Sequence, residues 1–254
     1  MFYESIVDKD FDIITLQEIS DPSLMRAILK DAGFDNFIFS DPNEQEWKNG
    51  QLSLTGIASK HPLNELEECG PEFFSSVRTR HLIACQVDIE GQLVNVFSSH
   101  GPWGFQNEGK RLRTAESINE KAVYLNEKHP GSISVFGGDF NADPKSRSVR
   151  YLTGQDLASD NESSTLWVDA HTLVGDSSNY TTTDHATNYY GQRTARSVGI
   201  PHPEYLPKRR IDYILTYGWA YGKVGCPVDF GYLEHESGEE FSDHNSIWAR
   251  MLLH

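Results

Sequence analysis

The stretch that decides the fold reads Ser132-Ile133-Ser134-Val135-Phe136 and then Gly137-Gly138-Asp139-Phe140-Asn141-Ala142-Asp143-Pro144. The β-branched and aromatic run predicts a buried strand, which passes directly into a loop of glycine, carboxylate and amide residues. Side chains alternate along an extended chain, so Asp139 and Asn141 should point to the same side. Since α/β folds place their sites at strand ends, the stretch predicts an α/β fold with a site here.

A turn without chemical function is the alternative interpretation of this loop. Asn141 and Asp143 could each close an Asx turn by bonding to the local backbone. We favour a chemical role for Asp139 and Asn141. For Asp143 we favour a structural role, because Asp143-Pro144 is typical of a helix start.

Four further segments carry polar groups at the ends of predicted strands or inside one. They are Leu16-Gln17-Glu18, Ser99-His100, Arg210-Ile211-Asp212-Tyr213 and Ser242-Asp243-His244-Asn245. One strand end of this kind is common. Five segments that combine carboxylate, amide and imidazole groups are difficult to attribute to chance, and we expect them to converge on one site.

Outside these segments, predicted strands alternate with predicted helices, as in a mixed α/β domain. Asp21 and Pro22 are typical of a helix start and Gly33 of a helix end. A turn at residues 90–92 should join two antiparallel strands. The predicted strands are residues 11–16, 52–59, 82–88, 94–99, 132–136, 210–215 and 247–253, and a long helix is predicted over residues 106–128.

The distribution of these segments favours one domain over residues 1–254, since polar strand ends recur along the whole chain. Residues 154–208 are polar and lack a clear periodicity. We expect them to form a loop-rich excursion, and long loops of this kind often carry specificity.

Composition narrows the class of protein. Lys and Arg total 22 against 37 Asp and Glu, a formal net charge of −15. Such a surface repels nucleic acid and anionic membranes at long range, although a bound divalent cation can dominate the local field. No apolar stretch is long enough to span a membrane. Cys69, Cys85 and Cys226 lack a paired spacing, which favours free thiols and a cytoplasmic location.

Motifs of competing chemistries are absent from the sequence. It contains no nucleophile elbow, no phosphate-binding P-loop, no metalloprotease motif and no paired CxxC. These absences weaken the serine hydrolase, P-loop and zinc-site interpretations. The sequence indicates no protein partner.

The polar segments, taken in order, resemble a known motif set. Leu16-Gln17-Glu18, the loop at residues 138–144, the strand at residues 210–215 and Ser242-Asp243-His244-Asn245 are similar to the motifs of the endonuclease/exonuclease/phosphatase superfamily. That superfamily includes deoxyribonuclease I, exonuclease III-like repair nucleases and neutral sphingomyelinases. The resemblance implies a deoxyribonuclease I-like fold, in which two mixed β-sheets pack as a sandwich flanked by helices, with the site at one end.

The resemblance also implies roles for individual residues. Glu18 would be the principal Mg²⁺ ligand, with Mn²⁺ possible, and Asp243 would be a second ligand, direct or through water. This agrees with the preference of Mg²⁺ for one or two carboxylates and several waters. Asp139 would orient or deprotonate the attacking water, and the Asn141 amide would hold the phosphate or that water.

Two histidines complete the implied site. His244 would pair with Asp212, and a carboxylate beside an imidazole fixes its tautomer and raises its pKa. His244 would then act as a general base or as a charged phosphate ligand. His100 would protonate the leaving oxygen or bind the phosphate. No glutamate near Arg80 is placed to partner His100 as in the deoxyribonuclease I branch.

The sequence departs from the family pattern at its start. The family begins with a strand that carries an asparagine beside Trp or Tyr, which helps to bind metal and phosphate. Here residues 1–9 resemble the helix after that strand, so the asparagine has no counterpart. Either the given start lies inside a longer protein or the site is reduced. A reduced site motivates the alternative function, a catalytically weak or silent binding module.

The implied activity is hydrolysis of a phosphoester, most plausibly a phosphodiester, by in-line attack of water. The substrate stays open between nucleic acid, a lipid head group and a small phosphodiester. The acidic surface favours the last two over a DNA-groove enzyme.

For the remaining polar and aromatic residues we expect structural roles. Trp103 and Phe105 should pack over the start of the long helix, although substrate contact is the alternative. Ordinary surface positions are expected for the other residues of this group: Arg111 and Arg113 in surface ion pairs, Lys208, Arg209 and Arg210 as a strand flank, and Asp169, His171, Asp184 and His185 as solvated loop residues.

Overall fold

The computed structural model describes residues 6–40, 53–65, 82–156, 166–176, 180–182, 192, 208–218, 223–233 and 242–253. The strands are β1 (Ile13–Ile19), β2 (Asn36–Phe39), β3 (Leu54–Ser59), β4 (Leu63–Glu65), β5 (Leu82–Ile89), β6 (Gln92–His100), β7 (Ile133–Asp139), β8 (Val168–Asp169), β9 (Asp212–Tyr217), β10 (Pro227–Tyr232) and β11 (Ile247–Met251). The helices are α1 (Pro22–Asp31), α2 (Glu108–Lys128), α3 (Arg147–Leu152) and α4 (Ala170–Val174), with a 3-10 turn at Phe105–Asn107.

The strands form three sheets in the described residues. The largest has the order β4-β5-β6-β7-β9-β8, with β6 and β7 parallel and the other pairs antiparallel. A second sheet has the order β1-β3-β2, and β10 pairs with β11 in a third. The second sheet packs against the first through contacts of β1 and β3 with β5, β6 and β7. The predicted α/β sandwich is confirmed, although in the described residues only the largest sheet is mixed.

Alternation along β6 assigns its side chains to two cores. Val94 and Val96 face the second sheet and pack in a cluster with Ile57 of β3. Phe97 points to the opposite face, where it packs in a cluster that includes Ala115 and Ile118 of α2. This period of two is expected for a strand buried on both faces. The helix α1 covers the second sheet in the same way through buried Leu29 and other apolar residues.

The predicted helix cap and the predicted hairpin turn are both present in the structure. Asp21 accepts hydrogen bonds from the Ser23 and Leu24 backbone N–H groups, with Pro22 at the first helical position. Glu90 and Gly91 take positive φ values of 53° and 89°, and the strands on either side pair as an antiparallel hairpin. Positive φ at both central residues matches the right-handed twist of the strands.

Several predictions about secondary structure and surface position were wrong. Asp143-Pro144 does not start a helix, since α3 begins at Arg147, and Asp143 instead pairs with Arg209 at 2.8 Å. Asp169 is not a solvated loop residue, because it is buried, caps α4 and pairs with Arg210 at 2.7 Å. Charge pairing explains both differences, and the pairing partners lie about 40 or more residues away in sequence.

Part of the predicted excursion at residues 154–208 is ordered structure. β8 and α4 fall inside it, and β8 extends the largest sheet through β9. Asp184, His185, Cys69 and most of residues 1–9 lie outside the described residues. Cys85 and Cys226 are buried. Within the described ranges, no helix combines the length and apolar character that a membrane crossing requires.

Candidate active site

Three neighbouring strands of the largest sheet bring polar residues into one row. In the register of the sheet, His100 of β6 lies opposite Asp139 of β7, and Asp139 lies opposite Asp212 of β9. Residues paired in register point to the same face of a sheet, and their Cβ atoms lie about 5 Å apart. The three side chains therefore start within contact distance of one another.

Asp139 is buried, with 5% of its surface exposed, and Asn141 holds both of its oxygens. The Asn141 backbone N–H donates to Asp139 Oδ1 at 2.6 Å, and Asn141 Nδ2 donates to Asp139 Oδ2 at 2.9 Å. Asn141 has a φ of 52°, which asparagine tolerates better than most residues. An Asx turn is thus present, but Asp139 is its acceptor and Asp143 takes no part in it.

His244 and Asp212 form a close pair. His244 Nδ1 lies 2.9 and 3.2 Å from the two oxygens of Asp212. The loop that carries His244 is held by its backbone N–H, which donates to Ser242 Oγ at 3.0 Å, and by a β-bridge to Thr182. Burial by itself would lower the pKa of His244, but the adjacent Asp212, with help from Asp139, raises it well above its ordinary value. The imidazole is therefore charged at neutral pH.

Glu18 reaches the same place from the second sheet. It lies where β1 slips its register against β3, between Leu16 and Ile19, and it has a φ of 57°. Its Oε1 is 3.8 Å from His100 Nε2, which in turn lies 3.6 Å from Asp139 Oδ2. The irregular end of β1 thus directs Glu18 towards the row on the largest sheet.

Burial sets the protonation of the remaining groups. It lowers the pKa of His100 to about 4, with a further contribution from the His244 imidazolium, so His100 is neutral at pH 7. Burial and then the Asp212 carboxylate raise the pKa of Asp139 to about 8. Burial also raises the pKa of Glu18, with opposition from His244 and a contribution from Asp243.

The donor set fits a divalent cation. Oxygen atoms of Asp139 and Asp212 and a ring nitrogen of His244 lie within 4.8 Å of one another. The two carboxylates are the metal donors of this group, because a protonated imidazole has no lone pair to offer. Among the ion pairs of the described residues, none joins Glu18, Asp139 or Asp212 to lysine or arginine. Carboxylates that repel one another in this way favour a cation, and oxygen donors suit Mg²⁺ or Mn²⁺.

The structure brings the predicted site residues together. His100, Asp139, Asp212, His244 and Glu18 form one connected set, and Asn141 bonds to Asp139. Asp243 lies near enough to affect the pKa values of Glu18 and His244. The convergence is an observation, whereas the role assigned to each residue stays a prediction.

The sequence analysis missed residues that support the site, and the expected surface position of Arg111 was wrong. Arg111 is only 2% exposed. Its Nη1 donates to the carbonyls of Pro102 and Gly104, and its Nε donates to Glu108. These bonds hold the loop that follows His100. An arginine three residues after a glutamate at a helix start is ordinarily a surface pair, so no local signal distinguished it.

A family model and solved structures match this chain. The model of the Endonuclease/Exonuclease/phosphatase family matches residues 2–244. A comparison with curated proteins finds no match.

Similar solved structures cover nearly the whole chain. An endonuclease/exonuclease/phosphatase from Bacteroides vulgatus is 18% identical, with a TM-score of 0.66 over 100% of this chain and 89% of that one. D. rerio TDP2 complexed with single strand DNA product is 18% identical, with a TM-score of 0.61 over 98% and 92%. An AP endonuclease from Archaeoglobus fulgidus is 16% identical, with a TM-score of 0.61 over 99% and 93%. At these identities the likeness supports the fold.

Proposed function

This chain belongs to the endonuclease/exonuclease/phosphatase family, and we propose that it is a divalent-metal-dependent phosphodiesterase that uses in-line attack of water. Members of the family are phosphoester hydrolases. The observation that carries the proposal is the row of His100, Asp139 and Asp212 on three adjacent strands, completed by His244. In this arrangement Asp139, which can accept a proton, lies close to the positively charged imidazole of His244.

Asp139 is proposed to accept the proton of the attacking water. A general base works best when its pKa lies near the working pH, and the raised pKa of Asp139, about 8, meets that condition. Asn141 holds both Asp139 oxygens, so the carboxylate keeps one orientation. Because the carboxylate is already oriented, it does not have to reorient as the reaction proceeds.

His244 and His100 are proposed to contact the phosphate in different ways. His244, kept protonated by Asp212, offers its other ring nitrogen as a charged donor to the developing negative charge. His100 is neutral and serves as a hydrogen-bond donor rather than as the acid that protonates the leaving oxygen. Of the two roles expected for His100, its lowered pKa supports phosphate binding over protonation of the leaving oxygen.

Glu18, with Asp243, is proposed to hold the metal ion, Mg²⁺ or Mn²⁺, near Asp139 and Asp212. When bound, such an ion neutralises charge on the phosphate oxygens and on the leaving oxygen. The mutual proximity of the carboxylates and their lack of lysine or arginine partners in the described residues support this assignment.

The substrate is proposed to be a nucleic acid phosphodiester. Among the similar structures, TDP2 is seen with a single strand DNA product and another protein is an AP endonuclease. The net charge of −15 argues against an extended basic groove, so recognition must be local. Lipid head groups and small phosphodiesters remain the competing substrates. The spacing of Cys69, Cys85 and Cys226, which contains no CxxC pair, supports a reducing compartment such as the cytoplasm.

Hydrolysis of bis(p-nitrophenyl) phosphate with Mg²⁺ or Mn²⁺ tests the proposal. We expect activity that a chelator abolishes. Glu18→Gln, Asp139→Asn and His244→Ala should each lower kcat by about a hundredfold or more, the scale of losing an electrostatic stabiliser. Asp10→Asn is the matched control, because Asp10 pairs with Lys60 on the surface.

Wild-type rates in two of the three site variants would contradict the assignment. The rival function, a silent binding module, predicts no metal-dependent turnover in the wild-type protein. Both outcomes are read from the same assay.

A further inference from the structure

Two aromatic side chains beside the site are exposed to solvent. Trp103 is 66% exposed and Phe105 is 80% exposed, more than any other large hydrophobic side chain in the described residues. The expectation that they pack over the start of α2 was therefore wrong. Isolated exposed apolar residues are common, so their significance depends on how the loop that carries them is built.

The loop begins at the site itself. Gly101 directly follows His100, and its backbone N–H donates to the Asp139 carbonyl at 2.7 Å. Asn141 Nδ2 donates to the Gly101 carbonyl at 3.0 Å. The first residue of the loop is thus bonded to Asp139, proposed to activate water, and to Asn141, which holds the Asp139 carboxylate.

Side-chain hydrogen bonds to three of its backbone carbonyls then hold the loop. Buried Arg111 donates from Nη1 to the Pro102 carbonyl at 2.6 Å and to the Gly104 carbonyl at 2.9 Å. Asn107 Nδ2 donates to the Trp103 carbonyl at 2.7 Å. Burying a guanidinium is favourable only when its donors are satisfied. The Arg111 guanidinium satisfies its donors by bonding to the loop that exposes the rings of Trp103 and Phe105 to solvent.

The ring of Phe105 is also positioned from its side. The Arg209 guanidinium lies 5.4 Å from the ring centroid, and it forms a two-pronged pair with Asp143 at 2.8 and 3.2 Å. Asp143 lies two residues after Asn141, and Arg209 lies three residues before Asp212. Phe105 therefore lies beside Arg209, which links the segment before Asp212 to the loop after Asn141 through its pair with Asp143.

On the basis of the proposed function, we infer that Trp103 and Phe105 form a stacking platform for an unpaired nucleobase next to the scissile phosphate of single-stranded nucleic acid. Base stacking on aromatic rings contributes affinity without requiring a basic groove. That property suits a chain of net charge −15. A loop whose backbone is held in advance also loses little conformational entropy when a base binds.

The geometry favours an unpaired base over the alternatives. A base inside a duplex already has both faces stacked, so it offers no free face to Trp103 or Phe105. A quaternary ammonium head group also binds aromatic rings, but Arg209 already places a cation at the ring of Phe105. An unpaired base requires only ring faces, and the adjacent phosphate is not repelled by the guanidinium.

A pair of chromogenic diesters tests the platform. Thymidine 5′-(p-nitrophenyl phosphate) and methyl p-nitrophenyl phosphate share a leaving group and differ in the other ester group, which is a nucleoside with its base in the first and methyl in the second. We expect Trp103→Ala/Phe105→Ala to lower kcat/KM for the thymidine ester by about 5- to 100-fold, the range of base stacking on aromatic side chains. The rate for the methyl ester should not change. Trp103→Phe should retain most of the preference, since a ring remains.

Tyr124→Ala is the matched control. Tyr124 is a partly exposed aromatic on α2, 16 residues beyond Glu108 and thus about 24 Å along the helix. Its replacement should leave both esters unaffected. Both test residues are exposed, so the melting temperature of the double variant should match that of the wild type.

The outcomes separate this inference from the proposed function. Turnover of both esters with an unchanged ratio in the double variant would overturn the platform while leaving the hydrolase in place. A selective loss with p-nitrophenylphosphorylcholine instead would overturn it in favour of a head-group site. If neither ester is hydrolysed, the hydrolase proposal fails. Binding of a fluorescein-labelled oligothymidylate, measured by anisotropy, then decides the platform, which requires weaker binding by the double variant.

Discussion

At the scale of single residues, the site depends on charges that change one another's proton affinity. Asp212 keeps His244 protonated, and the same carboxylate helps to raise the pKa of Asp139 to about 8. His244 in turn helps to keep His100 neutral. The site therefore holds one imidazolium and one neutral imidazole, an arrangement that follows from which histidine has a carboxylate against its ring.

Removal of Asp212 should change the pH profile as well as the rate. We expect Asp212→Asn to lower kcat and to move the alkaline loss of kcat/KM to lower pH, because the pKa of His244 falls when its partner loses charge. The measurement is kcat/KM as a function of pH for bis(p-nitrophenyl) phosphate.

A second histidine–aspartate pair provides the control for this prediction. His61 Nε2 lies 2.8 Å from Asp12 Oδ1 on the surface, so Asp12→Asn removes a similar contact away from the site. It should leave the pH profile unchanged. A profile of Asp212→Asn that keeps its shape while the rate falls would assign Asp212 a purely structural role.

At the scale of elements, the site requires β1 and β7 to approach closely. Gly137 of β7 faces Thr15 of β1, and a Cβ at position 137 would lie 2.5 Å from Thr15 Oγ1 and 3.1 Å from Cγ2. Since Glu18 is carried by β1 and Asp139 by β7, this contact sets the separation between the proposed metal ligand and the proposed base. The glycine is needed for space, because its backbone does not take a positive φ.

Gly137→Ala should therefore destabilise the protein by about 1–3 kcal/mol, the usual cost of overpacking a core. The free energy of unfolding in urea measures this. Thr15→Ala in the same chain should restore part of the loss, because it removes both clashing atoms. Gly109→Ala is the control, since a Cβ there meets only Arg113 at 3.9 Å. Failure of Thr15→Ala to restore any stability would contradict this explanation of Gly137.

At the scale of the whole molecule, the site reduces the stability of the metal-free fold. The folded-state pKa of Asp139, about 8, is raised above the value near 4 expected in an unfolded chain. The folded state thus binds a proton that the unfolded state has lost, so stability falls as pH rises through this window. His244, whose pKa is also raised, contributes with the same sign at higher pH.

A divalent cation should reverse this loss. We expect the melting temperature of metal-free protein to fall between about pH 5 and pH 8 through these groups, and the increase caused by Mg²⁺ or Mn²⁺ to grow over the same range, because metal binding requires deprotonated ligands. Calorimetry with and without chelator measures both effects. An equal increase in wild type and in Glu18→Gln would show that the ion binds elsewhere.

Sequence by itself determined the class of fold and the identity of the polar groups at the site. Strand-ending carboxylates, amides and imidazoles are local patterns, and so are the Asp21 cap and the hairpin turn at Glu90 and Gly91. Each depends on neighbours within a few residues, which a sequence displays directly. The sequence predicted that His100, Asp139 and Asp212 lie at one site. It did not predict that they are aligned in register on adjacent strands.

Tertiary structure alone decided which residues are buried, which partners they contact and which ionisable groups carry a charge. Arg111 was expected in a surface ion pair, yet it is buried and supports the loop after His100. Trp103 and Phe105 were expected to pack over the start of the long helix, yet they are exposed. The neutrality of His100 likewise follows from burial and from His244. Burial, pairing and proton affinity depend on groups that are distant along the chain and close in space, so they exist only once the strands have assembled.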